Sequence, residues 1–366
     1  MAPRLKIGLI VPGFSAHERD WCIPALLDYV RVLAQSAEVH VFTMRWPERA
    51  GTYPVHGAVV HALNGRQKMG PRVLGLWARV TRAIAAEHCR APFTALHAFW
   101  ADEPGWVGAW AARQLRVPFI LSLAGGELVA MPDIAYGLLR LPGRRALVQK
   151  ALRQATRVTV GSEYLRNIAR AFCDPTKIER LPLGVDTSLF SLPTEQPPPE
   201  PLLLNVGALY PVKDQTLLVR AFRRVAAQVP EARLELVGEG PLRGDLLKLA
   251  EGLNVHLAGA VPHEALAEGY RRAAVFVQTS RHESQGLAVL EAAACGLPVV
   301  GTPVGVLPEI GLGTSTESEL AERVIELLRD APRRKRLGLK AWEQIQSEFA
   351  LRVTMGRWMQ MYEAVG

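Results

Sequence analysis

No apolar run in this 366-residue chain approaches the roughly 18–20 residues needed to cross a bilayer. The N-terminal run Ile7-Gly8-Leu9-Ile10-Val11 is too short for a signal-peptide core and stops at Pro12-Gly13. It reads as a first buried strand, and a cytoplasmic protein is expected. Cysteine is scarce: Cys22, Cys89, Cys173 and Cys295 are scattered, with no Cys-x-x-Cys pair. That excludes a thiolate zinc site or a disulfide framework and leaves buried free thiols as the reading. No Gly-x-Gly-x-x-Gly follows the first strand, so a nicotinamide dehydrogenase is not supported, and no Gly-x-x-x-x-Gly-Lys-Ser/Thr exists to cradle a nucleotide. Asp-x-Asp is missing, and no His/Asp/Glu cluster has metal-ligand spacing, so no metal is expected.

What is present is ordinary in bulk and uneven in charge. Hydrophobic residues make up 49% and charged ones 21%, and the length exceeds what one core usually serves, so two domains are expected. Net charge is +8, but residues 1–190 carry +10 and residues 191–366 carry −2. The asymmetry points to an anionic partner for the first half: a membrane surface, a lipid diphosphate, an acidic glycan or nucleic acid. A solvated Arg-rich surface is the alternative. No recognisable nucleic-acid module accompanies the charge, so nucleic acid is not the expected partner.

Short β-branched runs alternate with helical patterns through both halves. Leu5–Val11, Val39–Thr43, Val59–Leu63, Phe119–Leu123 and Arg157–Gly161 read as strands in the first half, with helices at Ile23–Ala34, Arg72–Glu87, Gly105–Leu115 and Glu163–Phe172. In the second half, strands at Leu202–Val206, Leu234–Val237, Val255–Leu257, Val275–Gln278 and Val299–Thr302 alternate with helices in the same way. Each half is therefore expected to be a parallel α/β sheet covered by helices. Between them, residues 191–201 hold five prolines and read as an extended linker. The expected divisions are 1–190, the linker 191–201, 202–349, and a C-terminal helix over 350–366. In that last helix Val353, Met355, Trp358, Met361, Tyr362 and Val365 fall near helical spacing.

The densest signal runs from Gln278 to Val300: Gln-Thr-Ser-Arg-His-Glu-Ser-Gln-Gly-Leu-Ala-Val-Leu-Glu, then Ala-Ala-Ala-Cys-Gly-Leu-Pro-Val-Val. A strand ends near Gln278 and a helix starts near Gly286. One carboxylate, Glu283, thus lies in the loop and another, Glu291, in the helix. The amides of Gly286, Leu287 and Ala288 suit a phosphate at the helix N-terminus.

This segment resembles the Glu-(seven residues)-Glu motif of the retaining glycosyltransferases of family 4, which have the GT-B fold. Val206-Gly207-Ala208-Leu209-Tyr210-Pro211-Val212-Lys213-Asp214 is similar to that family's first phosphate loop, Leu236–Leu242 to its next strand and turn, and Gly259-Ala260-Val261-Pro262 to its nucleobase loop. Leu181–Asp186 resembles the segment that leads to the interdomain linker. The resemblance implies two facing Rossmann-like domains with a cleft that closes on donor, and transfer from a nucleoside-diphosphate sugar with no required cofactor or metal. The implied acceptor is a hydroxyl of a glycan or lipid-linked molecule in polysaccharide or glycoconjugate synthesis. By the same resemblance Glu283 is catalytic, bonding the transferred sugar, and Glu291 takes the ribose. Gly207, Lys213, Arg281, Gly286, Leu287, Ala288 and, from the first half, Gly13 are donor-binding, and Val261 lines the base.

The chain departs from that family at two places. Ala208 stands where an arginine usually follows the loop glycine, and Ala124 stands where a histidine is common. A sugar-nucleotide-binding protein with weak catalysis is therefore the rival reading. The polar residues left near the first-half strand ends are His97, Trp100, Asp102 and Glu127. Glu127 or Asp102 is expected to orient or deprotonate an acceptor hydroxyl, with His97 and Trp100 on the acceptor side. The basic stretches Arg66–Arg90 and Arg140–Arg157 include amphipathic patterns suited to peripheral contact with an anionic membrane.

Overall fold

The computed structural model describes residues 4–66, 72–193 and 200–366. Parts of the basic stretch Arg66–Arg90 and of the proline-rich segment lie outside these residues. The chain divides into two compact units, Met1–Leu183 with Thr354–Gly366, and Gly184–Val353.

The first unit runs β1 (Lys6–Gly13), α1 (Pro24–Ser36), β2 (Glu38–Trp46), β3 (Ala50–Val55), β4 (Ala58–Leu63), α2 (Arg72–Arg90), β5 (Ala95–Phe99), α3 (Glu103–Leu115), β6 (Phe119–Leu123), α4 (Pro142–Gln154), β7 (Arg157–Val160), α5 (Glu163–Ala169) and β8 (Ile178–Arg180). The described strands form one sheet in the order β3-β4-β2-β1-β5-β6-β7-β8, parallel except for the β3–β4 pair. Along β1, Ile7, Leu9 and Val11 enter one core cluster and Ile10 the other, as a strand covered on both faces requires. Three strands, β3, β5 and the short β8, were not anticipated. β3 carries Pro54 and is an antiparallel edge strand, where a missing N–H is tolerated. β5 contains His97, which breaks the apolar run in sequence.

The second unit runs β9 (Leu202–Val206), α6 (Gln215–Gln228), β10 (Arg233–Val237), α7 (Arg243–Leu249), β11 (Val255–Gly259), α8 (Leu266–Arg272), β12 (Val275–Gln278), α9 (Leu287–Ala294), β13 (Val299–Gly301), α10 (Leu307–Ile310), β14 (Leu312–Gly313), α11 (Glu317–Arg329) and α12 (Ala331–Gln344). Its parallel sheet has the order β11-β10-β9-β12-β13-β14. The division at Leu183/Gly184 falls ahead of the expected linker 191–201. Phe190 is buried in the second unit's core, and Arg271 donates to the carbonyls of Leu189 and Ser191 at 2.9 and 3.0 Å, so the chain is already docked there.

The last helix, α13 (Leu351–Val365), contributes Met355, Trp358, Met361 and Tyr362 to the first unit's core. Trp358 Nε1 donates to the Pro182 carbonyl at 3.1 Å, which fixes the helix there. Of the cysteines only Cys295 is buried. Cys89 is exposed near the end of α2, which corrects the expectation of buried thiols throughout. No described helix is long and apolar enough to cross a membrane.

Candidate active site

The strand order of the second sheet reverses between β9 and β12, and open α/β sheets bind ligands outside the carboxyl ends at such a point. Two loops meet there. After β9, Gly207 to Tyr210 lead into a tight turn at Pro211–Lys213, and Asp214 caps α6 by accepting from the Leu217 N–H. After β12, the loop ends at Gly286, whose φ of 91° would strain any side chain. The loops are tied together: the Arg281 N–H donates to the Val212 carbonyl at 2.8 Å, and the Thr279 hydroxyl to the Lys213 carbonyl at 3.1 Å. Gly305, with φ 62°, closes over this loop, and a Cβ there would lie 2.8 Å from that of Glu283.

This docking brings Lys213 Nζ to 2.5 Å from Glu283 Oε1, which also accepts from the Ser280 hydroxyl at 2.7 Å. The Glu283 side chain is 13% exposed and that of Lys213 30%, so the pair is shielded but reachable. Glu291 lies further along α9. Its carboxylate accepts from the Tyr270 hydroxyl at 2.8 Å and meets His263 Nε2 at 3.0 Å. Burial drives Tyr270 well above the ordinary phenol range, with the neighbouring carboxylate acting in the same direction, so its hydroxyl donates. His263 follows Val261, which packs half-buried on the core, so the loop after β11 is drawn toward α9. The amides of Leu287 and Ala288, in the first turn of α9, have no intrahelical acceptor and carry the positive end of the helix dipole. A cation, a helix N-terminus and carboxylates on the loops and helix at the carboxyl ends of β9 and β12 are groups that can hold phosphate and sugar hydroxyls. Sequence reasoning missed Ser280, His263 and Tyr270. His263 lies directly after the Gly259–Pro262 loop, but Tyr270 gives no signal before α8 is placed.

Residues 25–189 match the family described as Glycosyltransferase Family 4, and residues 200–330 the one described as Glycosyl transferases group 1. A GDP-mannose-dependent monoacylated alpha-(1-6)-phosphatidylinositol monomannoside mannosyltransferase of Corynebacterium glutamicum is 29% identical over 274 residues, 67% of this chain and 72% of that protein. A D-inositol 3-phosphate glycosyltransferase of Segniliparus rotundus is 29% identical over 342 residues, 81% of this chain and 75% of that protein. Among solved structures, sucrose-phosphate synthase from Thermosynechococcus elongatus aligns over 99% of both chains with TM-score 0.80 at 24% identity. Anabaena HepE in complex with UDP-glucose aligns over 99% of this chain and 100% of its own with TM-score 0.76 at 18% identity. The chain belongs to the GT-B glycosyltransferases of family 4.

In this glycosyltransferase the first sheet also reverses, between β1 and β5. Gly13 ends β1 there, buried against Trp46. Trp100, just past β5, holds a left-handed backbone at φ 68°, an uncommon state for a bulky residue. Asp102 pairs with Arg144 at 3.2 Å, and burial raises its carboxyl above the usual range despite that cation.

Two first-unit assignments are corrected. His97 is fully buried: Nδ1 bonds the Tyr362 hydroxyl at 2.6 Å and Nε2 the Ser122 hydroxyl at 2.7 Å. It is a core residue and meets no acceptor. Glu127 is 1% exposed and accepts from the N–H groups of Gly125 at 2.7 Å, Ala124 at 3.0 Å and Ala101 at 3.4 Å. It anchors the turn after β6 and does not face an acceptor hydroxyl. Burial raises its pKa, with the amides pulling the other way.

The fold also gathers a group that no spacing in the sequence announced. Among the described residues His40, His61 and Glu87 come together in the first unit. Their separations of 21 and 26 residues match no motif, so only the fold reveals them.

Proposed function

We propose that the protein transfers a sugar, with retention of anomeric configuration, from a nucleoside-diphosphate sugar to a hydroxyl of a glycan or lipid-linked acceptor. The observation that carries this reading is the Lys213–Glu283 pair that joins the β9 and β12 loops ahead of the first turn of α9, with Glu291 further along that helix. Lys213, with the amides of Gly286, Leu287 and Ala288, holds the diphosphate, on which negative charge grows as the glycosidic bond breaks. Gly207 adds no side chain beside that phosphate, and Arg281 supplies a second cation near the loop. Glu283 bonds hydroxyls of the departing sugar. Glu291, oriented by His263 and Tyr270, takes the ribose, and Val261 lines the base. With these fixed positive charges the transfer has no need of a metal. Retention is supported by the Glu283–Glu291 spacing, which is that of the family's retaining members.

The first unit would supply the acceptor side, with Trp100 and Asp102 at the carboxyl end of β5. The +10 charge of residues 1–190 favours an anionic acceptor, and relatives named for phosphatidylinositol monomannoside and inositol 3-phosphate use such molecules. Leu74 on α2 and Leu141 beside α4, exposed at 60% and 39% on or beside helices rich in arginine, suit peripheral contact with an anionic membrane.

Incubation with a panel of nucleoside-diphosphate sugars and phosphorylated or lipid acceptors tests this. Nucleoside diphosphate should appear together with a product whose anomeric signals match the donor's, with no gain from added Mg2+ or Mn2+. Diphosphate binding with neither transfer nor donor hydrolysis would return the protein to a binding role.

A further inference from the structure

We propose that His40, His61 and Glu87 form a site for a divalent first-row transition metal, of which zinc is the natural probe. The three come from β2, β4 and α2, and their ligand atoms all lie within 4.8 Å of one another. His40 Nδ1 faces His61 Nε2 at 3.0 Å, and Glu87 Oε2 lies 3.9 Å from the same Nδ1. All three residues are less than 10% exposed. Two imidazoles and a carboxylate suit zinc, with metal–nitrogen bonds of about 2.0–2.1 Å.

The hydrogen bonds around the rings carry the argument further. Glu38 Oε1 lies 2.9 Å from His40 Nε2, and a carboxylate can only accept. His40 Nε2 therefore carries a hydrogen, and in the neutral ring Nδ1 points its lone pair at His61. Something positive must stand between the two facing nitrogens. In the ligand-free chain it is the hydrogen on His61 Nε2. The other side of His61 meets the Thr52 hydroxyl at 3.4 Å, which can donate or accept. His61 can thus move its hydrogen from Nε2 to Nδ1, with Thr52 accepting, and offer Nε2 to a cation with no net proton release. Both rings would then have an outer partner, Glu38 for one and Thr52 for the other, as metal-bound histidines usually do. Arg90 engages Glu87 Oε1 and leaves Oε2 for the metal. The rings are already parallel, with an interplanar angle of 9° and centroids 5.3 Å apart, and His61 is braced on Phe42.

The site lies near the amino-terminal start of β2, where Glu38 is in register with Lys6. Ligands of open α/β sheets bind at the opposite, carboxyl ends, so the metal clips α2 and the β3–β4 edge to the sheet and takes no part in the transfer.

The test uses the full chain after chelator treatment, in a Cys89→Ser background that removes the exposed thiol. Dialysis against micromolar Zn2+ should leave one metal per chain by mass spectrometry, raise the melting temperature by several degrees, and with Co2+ give a visible d–d band. His61→Phe, which keeps the stacked ring, and Glu87→Gln, in case the first fails to fold, should each lower the affinity at least tenfold. Less than a tenth of an equivalent bound by the parent protein would overturn the proposal. So would uptake by folded His61→Phe or Glu87→Gln equal to the parent's.

Discussion

Lys213 Nζ and Glu283 Oε1 lie 2.5 Å apart across two loops separated by about seventy positions in the chain, so the carboxylate fixes the direction of the cation. On the proposed donor site, a diphosphate would compete with Glu283 for Lys213 and free the carboxylate for the sugar. Glu283→Gln should therefore lower kcat by about 100-fold or more, the scale of losing one positioned group at a reacting centre, while binding the sugar-free nucleoside diphosphate at least as well as the parent. Steady-state kinetics alongside calorimetry separate the two effects. Weaker diphosphate binding with normal kcat would reverse the assignment.

Glu291 is held by Tyr270 and His263, so its loss acts on both ligand and fold. Glu291→Ala leaves a buried hydroxyl and a ring nitrogen without their acceptor and should cost about 1–3 kcal/mol of stability. It should also raise the donor KM more than it lowers kcat, because the ribose is far from the reacting carbon. Denaturant titration and kinetics check this. An unchanged KM would remove Glu291 from the donor site.

Ala208 is exposed at the mouth of the β9 loop, so a longer side chain has room. Ala208→Arg should tighten nucleoside-diphosphate binding by about 1.5–3 kcal/mol, roughly 10- to 150-fold, if its guanidinium reaches the phosphates. Calorimetry measures it directly. An unchanged dissociation constant would mean that Arg281 already supplies the second cation.

The second unit was far more legible than the first, and the reason is physical. In the Gln278–Val300 segment, strand, loop, glycine and helix follow one another within a single stretch, so Glu283, Gly286 and Glu291 could be located from local signals. The partners of Glu291 come from α8 and the turn before it, which meet α9 only after the sheet has formed. In the first unit, His97 and Glu127 looked like site residues because polar groups at strand ends usually face ligands. Burial decided otherwise: His97 is satisfied by Tyr362, which lies 265 residues away, and Glu127 by the amides of its own turn. The edge strand β3 stayed hidden behind Pro54, and the His40–His61–Glu87 group behind long separations.

The core position of His97 has a consequence for acid stability. Burial lowers its pKa from an ordinary value of about 6.5 to about 3, so the unfolded chain takes up a proton that the folded chain refuses. Its contribution is complete above about pH 6.5 and is lost as the pH falls toward 3, at a slope approaching about 1.4 kcal/mol per pH unit. His97→Phe should lower stability near pH 7 by about 1–3 kcal/mol through the lost hydrogen bonds, yet show a shallower decline between pH 6 and pH 4. Urea titrations at several pH values give both numbers. An unaltered slope would show that His97 is not the group responsible.

Calorimetric titration of the parent protein and Lys213→Ala with UDP, GDP and ADP addresses the donor site most directly. One of these diphosphates should bind the parent at one per chain, and Lys213→Ala should weaken that binding at least tenfold without lowering the melting temperature of the free protein. No binding of any of the three by the parent, or equal affinity in the variant, would contradict a nucleotide-sugar site at the β9 and β12 loops.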